Sequence, residues 1–199
     1  MLQFSRSTIK RAIKPVVFVL SLVPFSLLVY AAVTDSLGAN PVEALTHQTG
    51  LWGLYFLLIT LSITPLKKIT GMTWPVSLRR MLGLFAFFYA CLHLTVYFWL
   101  DQSLLWQDII EDIVKRPYIT LGLSAWLLLL PLALTSNQFS MRLLKKNWKR
   151  LHRLVYIAAL LVVVHFIWLV KADYTEPLMY LGILLFLLLT RTRIFKWST

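Results

Sequence analysis

Two histidines sit where ionisable side chains are uncommon. His93 and His165 each lie deep in a long apolar run, 13 residues past Arg80 and 12 past Arg153. If both runs are helices rising from a basic end, 1.5 Å per residue carries each imidazole roughly 18–20 Å along, to one level. Two neutral imidazoles at equal depth on different helices offer one axial nitrogen from each side to a six-coordinate haem iron. The same pair fits hydrogen bonds to neighbouring helices, or a path for a transported metal, because ionisable groups inside a membrane are costly and usually functional.

The other two histidines lie nearer the run ends. His152 precedes His165 by 13 residues on the same expected helix, about 20 Å lower, which is the separation of two cofactors stacked across a bilayer. Thirteen residues also rotate an ideal helix by about 220° beyond whole turns, so the two side chains do not share a face without a bulge. Arg79 and Arg80 stand at the facing level of the third run, where a second ligand would be needed. His152 therefore reads as a ligand with a weaker partner, a contact for a flavin or quinone, or an interfacial histidine. Arg79 and Arg80 read as cytoplasmic anchors that can also clamp a propionate or phosphate with their forked donors. His47 opens the second run, with Thr46 or Thr49 as expected helix caps; it is a solvated imidazole or a quinone or partner site. Cys91 is the single cysteine, which excludes a disulfide framework, a thiolate zinc site and an iron–sulfur cluster, and leaves a small packing residue.

The elements that must position these groups are transmembrane helices. Of 199 residues, 59% are hydrophobic and only 14% charged, and mean hydropathy is +0.73. That is too apolar for an ordinary soluble domain, and the net charge of +12 is spread in short runs between apolar stretches, not gathered as a nucleic-acid-binding face. Six stretches stand out: 15–33, 49–66, 81–100, 118–135, 154–171 and 177–190, the last short for a bilayer core. Pro24 and Pro131 imply kinks inside spans. The first stretch has no signal-peptide exit site, and no internal repeat is visible.

Charge sets the topology. Seventeen of the 20 basic residues fall in the N-terminal segment, the second-to-third loop, the fourth-to-fifth loop and the tail, including Arg193 and Lys196. The opposite side keeps Lys115, Arg116 and Lys171 together with all eight acidic residues. Positive residues mark the cytoplasmic side, so the expected fold is an all-α membrane protein, a single six-helix transmembrane bundle with both termini inside. Trp52, Trp74, Trp99, Trp106, Trp148, Trp168 and Trp197 are expected at the interfaces.

The segments Leu37–Val42 with His47–Gly50, Arg79–Leu84 leading to His93, Lys115–Gly122, and Trp148–Tyr156 followed by His165 and Trp168 come in a familiar order. Over roughly residues 15–190 the chain resembles the MsrQ (YedZ) family, the haem-binding membrane subunits of the bacterial periplasmic methionine sulfoxide reductase system. More widely it is similar to the ferric reductase-like transmembrane family. The resemblance implies a multi-pass bacterial inner-membrane cytochrome with haem b, also reported to bind FMN. It would draw electrons from a membrane quinol and pass them to a periplasmic molybdopterin-containing reductase that repairs oxidised methionines. His93, His152 and His165 match that family's haem-associated histidines; Arg79–Arg80 replace the second histidine that the wider family carries on the third span.

The chain has seven glycines and no G-x-G-x-x-G, so a nicotinamide- or FAD-binding domain is not expected within it. Electrons must then come from a lipid-soluble donor or another protein. Transport is disfavoured by spans nearly free of Asp, Glu, Asn and Lys, and a passive anchor needs one span, not six. A self-contained transmembrane metalloreductase is the alternative. The acidic outer loops, Asp101 to Asp112 especially with Asp108 and Glu111 between them, form the expected docking surface for an outer partner.

Overall fold

A computed structural model describes residues 6–191. Arg193, Lys196 and Trp197, and the side chains of Arg6, Lys10 and Arg11, lie outside what it describes. Five helical stretches are long and apolar enough to cross a membrane: Ile13–Val33, Pro41–Thr70, Arg79–Asp101, Pro117–Leu134 and Lys146–Leu169; Thr175–Leu189 is a shorter apolar helix. They account for the six expected stretches. Their outer faces suit hydrocarbon: Val16, Leu20, Leu27 and Val33 are each more than half exposed, an arrangement water would oppose and lipid accepts.

In chain order the helices are α1 (Arg6–Val33), α2 (Pro41–Thr70), α3 (Arg79–Thr95), α4 (Trp106–Lys115), α5 (Pro117–Leu134), α6 (Gln138–Leu144), α7 (Lys146–Leu151), α8 (Leu154–Leu169) and α9 (Thr175–Leu189). A 3₁₀ turn, Trp74–Ser77, leads into α3, and a π-helical turn, Val96–Asp101, continues it. Two tightly packed pairs, α2 with α3 and α5 with α8, make the centre. Small residues permit the approach: a Cβ on Gly53 would stand 3.6 Å from the backbone nitrogen of Ala90, and Ala86, Ala125, Ala158 and Ala159 are all buried. α1 rests on α2 and α3, while α9 rests on α8 and α2, where the Tyr55 and Tyr180 hydroxyls meet at 3.1 Å.

α2 is longer than its apolar run. It begins at Pro41, whose missing N–H costs nothing in the first turn, and Asn40 caps it by accepting from the Glu43 backbone N–H. This corrects the expected capping by Thr46 or Thr49: their hydroxyls donate back to the Val42 and Leu45 carbonyls inside the helix, and His47 belongs to the helix body. Trp52 packs among Tyr55, Phe56 and Tyr89.

The bend region of α1 is held by a neighbour. Close to Pro24, the buried Tyr89 hydroxyl donates to the Ser21 carbonyl (2.8 Å) and accepts from the Phe25 N–H (3.0 Å). These are the two groups an undisturbed helix would join, so a side chain from α3 is inserted into the α1 ladder. α4 is amphipathic and too short to span; Ile109 is buried while Trp106, Ile110 and Val114 are exposed.

Candidate cofactor site between His93 and His165

His93 projects from α3 and His165 from α8, one from each central pair. They are held in the same way. His93 Nδ1 lies 2.9 Å from the Thr46 carbonyl of α2, and His165 Nδ1 lies 2.6 Å from the Tyr118 carbonyl of α5, each 47 residues earlier in the chain. A carbonyl only accepts, so both Nδ1 atoms carry the proton and both Nε2 atoms keep a lone pair. Neither Nε2 makes a hydrogen bond among the described residues.

One turn beyond each of these carbonyls stands a glycine against the ring. A Cβ on Gly50 would meet His93 Nδ1 at 3.1 Å, and one on Gly122 would meet His165 Cε1 and Nδ1 at 3.0 Å. Carbonyl, glycine and histidine thus recur at equal spacing in the two pairs, an internal repeat that the sequence alone had not disclosed. Alanine at either glycine would press on the imidazole.

The two rings face each other with centroids 6.2 Å apart and planes at 79°. Metal–imidazole bonds run at about 2 Å with the ring nitrogen about 1 Å from the centroid, so two rings sharing one ion have centroids roughly 6 Å apart. Both line one cavity of about 900 Å³, at the upper end of the roughly 300–1,000 Å³ typical of ligand pockets. Its inner walls are apolar, with Leu54, Leu57, Ala125 and Leu129, and its mouth lies among the outer loops. The π-helical turn after His93 brings Tyr97, Phe98 and Asp101 to that mouth. No cluster of three or more His, Cys, Asp or Glu exists among the described residues, so the chemistry offered is a pair of axial nitrogens and not a full protein-built metal cage. The fit is to a flat macrocycle that supplies its own equatorial ligands.

The mouth holds charges that sequence reasoning passed over. Arg116 and Lys171, two of the three outer basic residues, both line the cavity. Arg116 is fixed by Asp112 at 3.2 Å and reaches the Tyr118 hydroxyl at 3.4 Å, on the residue whose carbonyl orients His165. Asp173, also at the mouth, stays ionised, its carboxyl lowered by hydrogen bonds from the Thr175 side chain and backbone. His47 is exposed at the same mouth, its ring 6.0 Å from that of Phe166.

Arg79, Arg80 and His152 are elsewhere. Arg79 opens α3, 14 residues before His93 and so about 21 Å from it along the helix. Neither it nor exposed Arg80 lines the cavity, so an outer-site carboxylate cannot be theirs. His152 lies at a local irregularity between α7 and α8, where the Arg153 N–H donates to the Arg150 carbonyl at 3.1 Å within the continuous Lys146–Leu169 stretch. Its ring stacks on Trp148 at 3.8 Å, with Nδ1 3.1 Å from the Trp148 carbonyl and Nε2 3.5 Å from the Ser136 hydroxyl. None of these contacts involves an arginine or a second histidine. Cys91 accepts from the Trp126 indole at 3.4 Å, a packing contact between α3 and α5 as expected.

The family described as ferric reductase like transmembrane component matches residues 49–163, from the start of the α2 core to the middle of α8. A protein-methionine-sulfoxide reductase heme-binding subunit MsrQ from Xanthomonas campestris pv. campestris (strain 8004) is 60% identical over 155 residues, 78% of this chain and 71% of that relative. The chain belongs to the MsrQ family. An MsrQ from Xanthomonas euvesicatoria pv. vesicatoria (strain 85-10) is 54% identical over 188 residues, 92% of this chain and 86% of its own length. One from Herminiimonas arsenicoxydans is 49% identical over 182 residues, covering 90% and 84%. No solved structure matches the chain. Membership in MsrQ and in the wider ferric reductase-like family fits a multi-pass membrane protein whose two central helix pairs carry the paired histidines.

Proposed function

We propose that this chain is the haem b electron-transfer subunit of a methionine sulfoxide reductase system in the bacterial inner membrane. The observation that carries the reading is the His93–His165 pair: rings 6.2 Å apart, both Nδ1 atoms committed to backbone carbonyls, both Nε2 atoms free. The names of the MsrQ relatives supply heme binding and the reductase system. Bound between these rings, haem b supplies a reversible one-electron couple.

The chain's residues have defined tasks in that scheme. The Thr46 and Tyr118 carbonyls fix the tautomer and orientation of the rings, as outer partners of ligating histidines do. Gly50 and Gly122 let the rings approach α2 and α5 closely. Apolar walls exclude water and keep the site's dielectric low. Arg116 and Lys171, which line the mouth, would offer counter-charges to the propionates of a haem held there.

Electrons enter from the inner half and leave at the outer mouth. A membrane quinol is the proposed donor, with FMN as a further carrier and the Trp148–His152 stack as an aromatic surface toward the inner end for either. The acceptor is a periplasmic molybdopterin-containing reductase that docks over the mouth, beside His47 and the α4 carboxylates. The open mouth also supports a second reading, direct reduction of a soluble metal complex there. Reconstitution in liposomes with quinol and the purified reductase separates the two: methionine sulfoxide reduction that requires both is expected, whereas ferric chelate reduction at full rate without the reductase would favour the second.

A further inference from the structure

The inner ends of α2, α3 and α9 carry a group of cations that form no ion pair among the described residues. The group is organised by Pro65. Having no N–H, Pro65 leaves the Leu61 carbonyl, four residues earlier, without its helical donor. Arg191, just past α9, fills that vacancy: its Nη2 donates to the Leu61 carbonyl. Its Nη1 donates to the Tyr156 hydroxyl at 2.6 Å, and the guanidinium lies over the Tyr156 ring at 5.1 Å. Its Nε is buried and has no hydrogen-bond partner among the described residues.

Arg79 stands close enough to Arg191 for the two charges to act on each other, and donates to the Thr64 hydroxyl at 3.0 Å. Lys68 donates to the Thr190 carbonyl at 2.9 Å, one residue before Arg191. Among the described residues, every acceptor these three cations use is neutral. The two ion pairs found among the described residues, Lys115 with Glu111 and Arg116 with Asp112, are both at the outer end. No Asp or Glu side chain occurs between Glu43 and Asp101, between Asp112 and Asp173, or after Glu176, so no acidic side chain of the sequence falls at this end. Partly buried charge without a counter-ion is costly, and an anion from outside the chain would relieve it.

We propose that Arg79, Arg191 and Lys68 form a binding site for a phosphate ester. Two guanidinium forks and an ammonium match the several oxygens of a phosphate better than a single carboxylate. The hydroxyls of Thr64 and Tyr156 accept from the arginines and keep their own protons to donate. The place fits a phosphate as well, because helix ends on the positive side lie at the headgroups of the cytoplasmic leaflet. The same chemistry is offered by an anionic phospholipid headgroup and by a soluble phosphate ester, and the site is separate from the His93–His165 cavity.

The test is thermal unfolding of the purified, delipidated protein in detergent, titrated with phosphatidylglycerol, phosphatidylcholine, FMN or inorganic phosphate. Wild type should gain about 3 °C or more with a saturating ligand. Arg79→Gln, a change at an exposed side chain, should lose most of that gain, as should Arg191→Lys, which keeps the charge without the fork. Lys149→Gln, an exposed cation outside the group, should keep it. A response to phosphatidylglycerol but not to FMN or phosphate assigns the site to lipid; a response to the soluble anions assigns it to a soluble ester. No response in wild type, or equal responses in wild type, Arg79→Gln and Arg191→Lys, would overturn the proposal.

Discussion

The imidazoles of His93 and His165 stand 6.2 Å apart with their planes at 79°, each tied through Nδ1 to a carbonyl of a different neighbouring helix. Four helices therefore meet at one pair of side chains: α3 and α8 supply the rings, and α2 and α5 aim them. A change on α2 or α5 should be felt at the site even though neither helix contributes a ligand.

Gly50 and Gly122 make that coupling testable. A methyl at either position would stand 3.0–3.1 Å from ring atoms, closer than ordinary contact, so the ring must tilt. Gly122→Ala should lower haem content at least twofold or shift the midpoint potential, and Gly122→Leu should abolish haem binding. Haem-to-protein ratio and redox titration check this; full occupancy at an unchanged potential in Gly122→Leu would refute it.

Arg116 and Lys171 should tune the same centre through charge. Removing a positive charge at the mouth favours the oxidised form, so Arg116→Gln and Lys171→Gln should each lower the midpoint potential. At about 15 Å and an effective dielectric constant near 20, one charge is worth about 1 kcal/mol, or on the order of 40 mV for one electron. A potentiometric titration giving a rise, or no change in either variant, would count against propionates at the mouth.

The outer carboxylates divide into two roles. Asp112 is engaged: it pairs with Arg116 at 3.2 Å and accepts from Gln102 at 3.0 Å, tying the π-helical turn to the end of α4. Asp108 and Glu111 are exposed, although Glu111 pairs with Lys115. Neutralising Asp108 and Glu111 together should slow electron delivery to the outer partner severalfold at low salt and leave thermal stability unchanged. Asp112→Asn should lower the melting temperature as well. Stopped-flow rates across ionic strength, beside melting curves, distinguish the two.

Tyr89→Phe removes the hydroxyl that bridges Ser21 and Phe25 in α1. Buried hydrogen bonds of this kind contribute about 1–3 kcal/mol when a partner is left unpaired. The variant should melt several degrees lower while its haem spectrum stays that of wild type. An unchanged melting temperature would show that α1 closes its own ladder.

Much of this architecture is legible in the sequence because a bilayer writes simple rules. Span positions follow from hydropathy, and the shared depth of His93 and His165 follows from a constant rise per residue. What escapes is whatever depends on which helices pair. The first turns of α2 are polar enough to look like loop, and only the Asn40 cap with Pro41 reveals them as helix. Arg79 and Arg116 are both arginines at span ends, and hydropathy cannot say that only Arg116 lines the cavity. The matching spacings from Thr46 to His93 and from Tyr118 to His165 were present in the sequence, yet a backbone carbonyl carries no residue-type signature. His152 stands at a further irregularity that the sequence does not mark: the 146–169 stretch tightens locally between α7 and α8.

The central claim is that one haem b lies between His93 and His165. Oxidised and dithionite-reduced absorption spectra of the protein in detergent, wild type beside His93→Ala, His165→Ala and His152→Ala, test it most directly. The account predicts a sharp b-type reduced spectrum in wild type that either His93→Ala or His165→Ala abolishes and that His152→Ala leaves in place. Wild-type protein with no haem spectrum after reconstitution with excess haem, or a full spectrum retained in His93→Ala and His165→Ala, would contradict it.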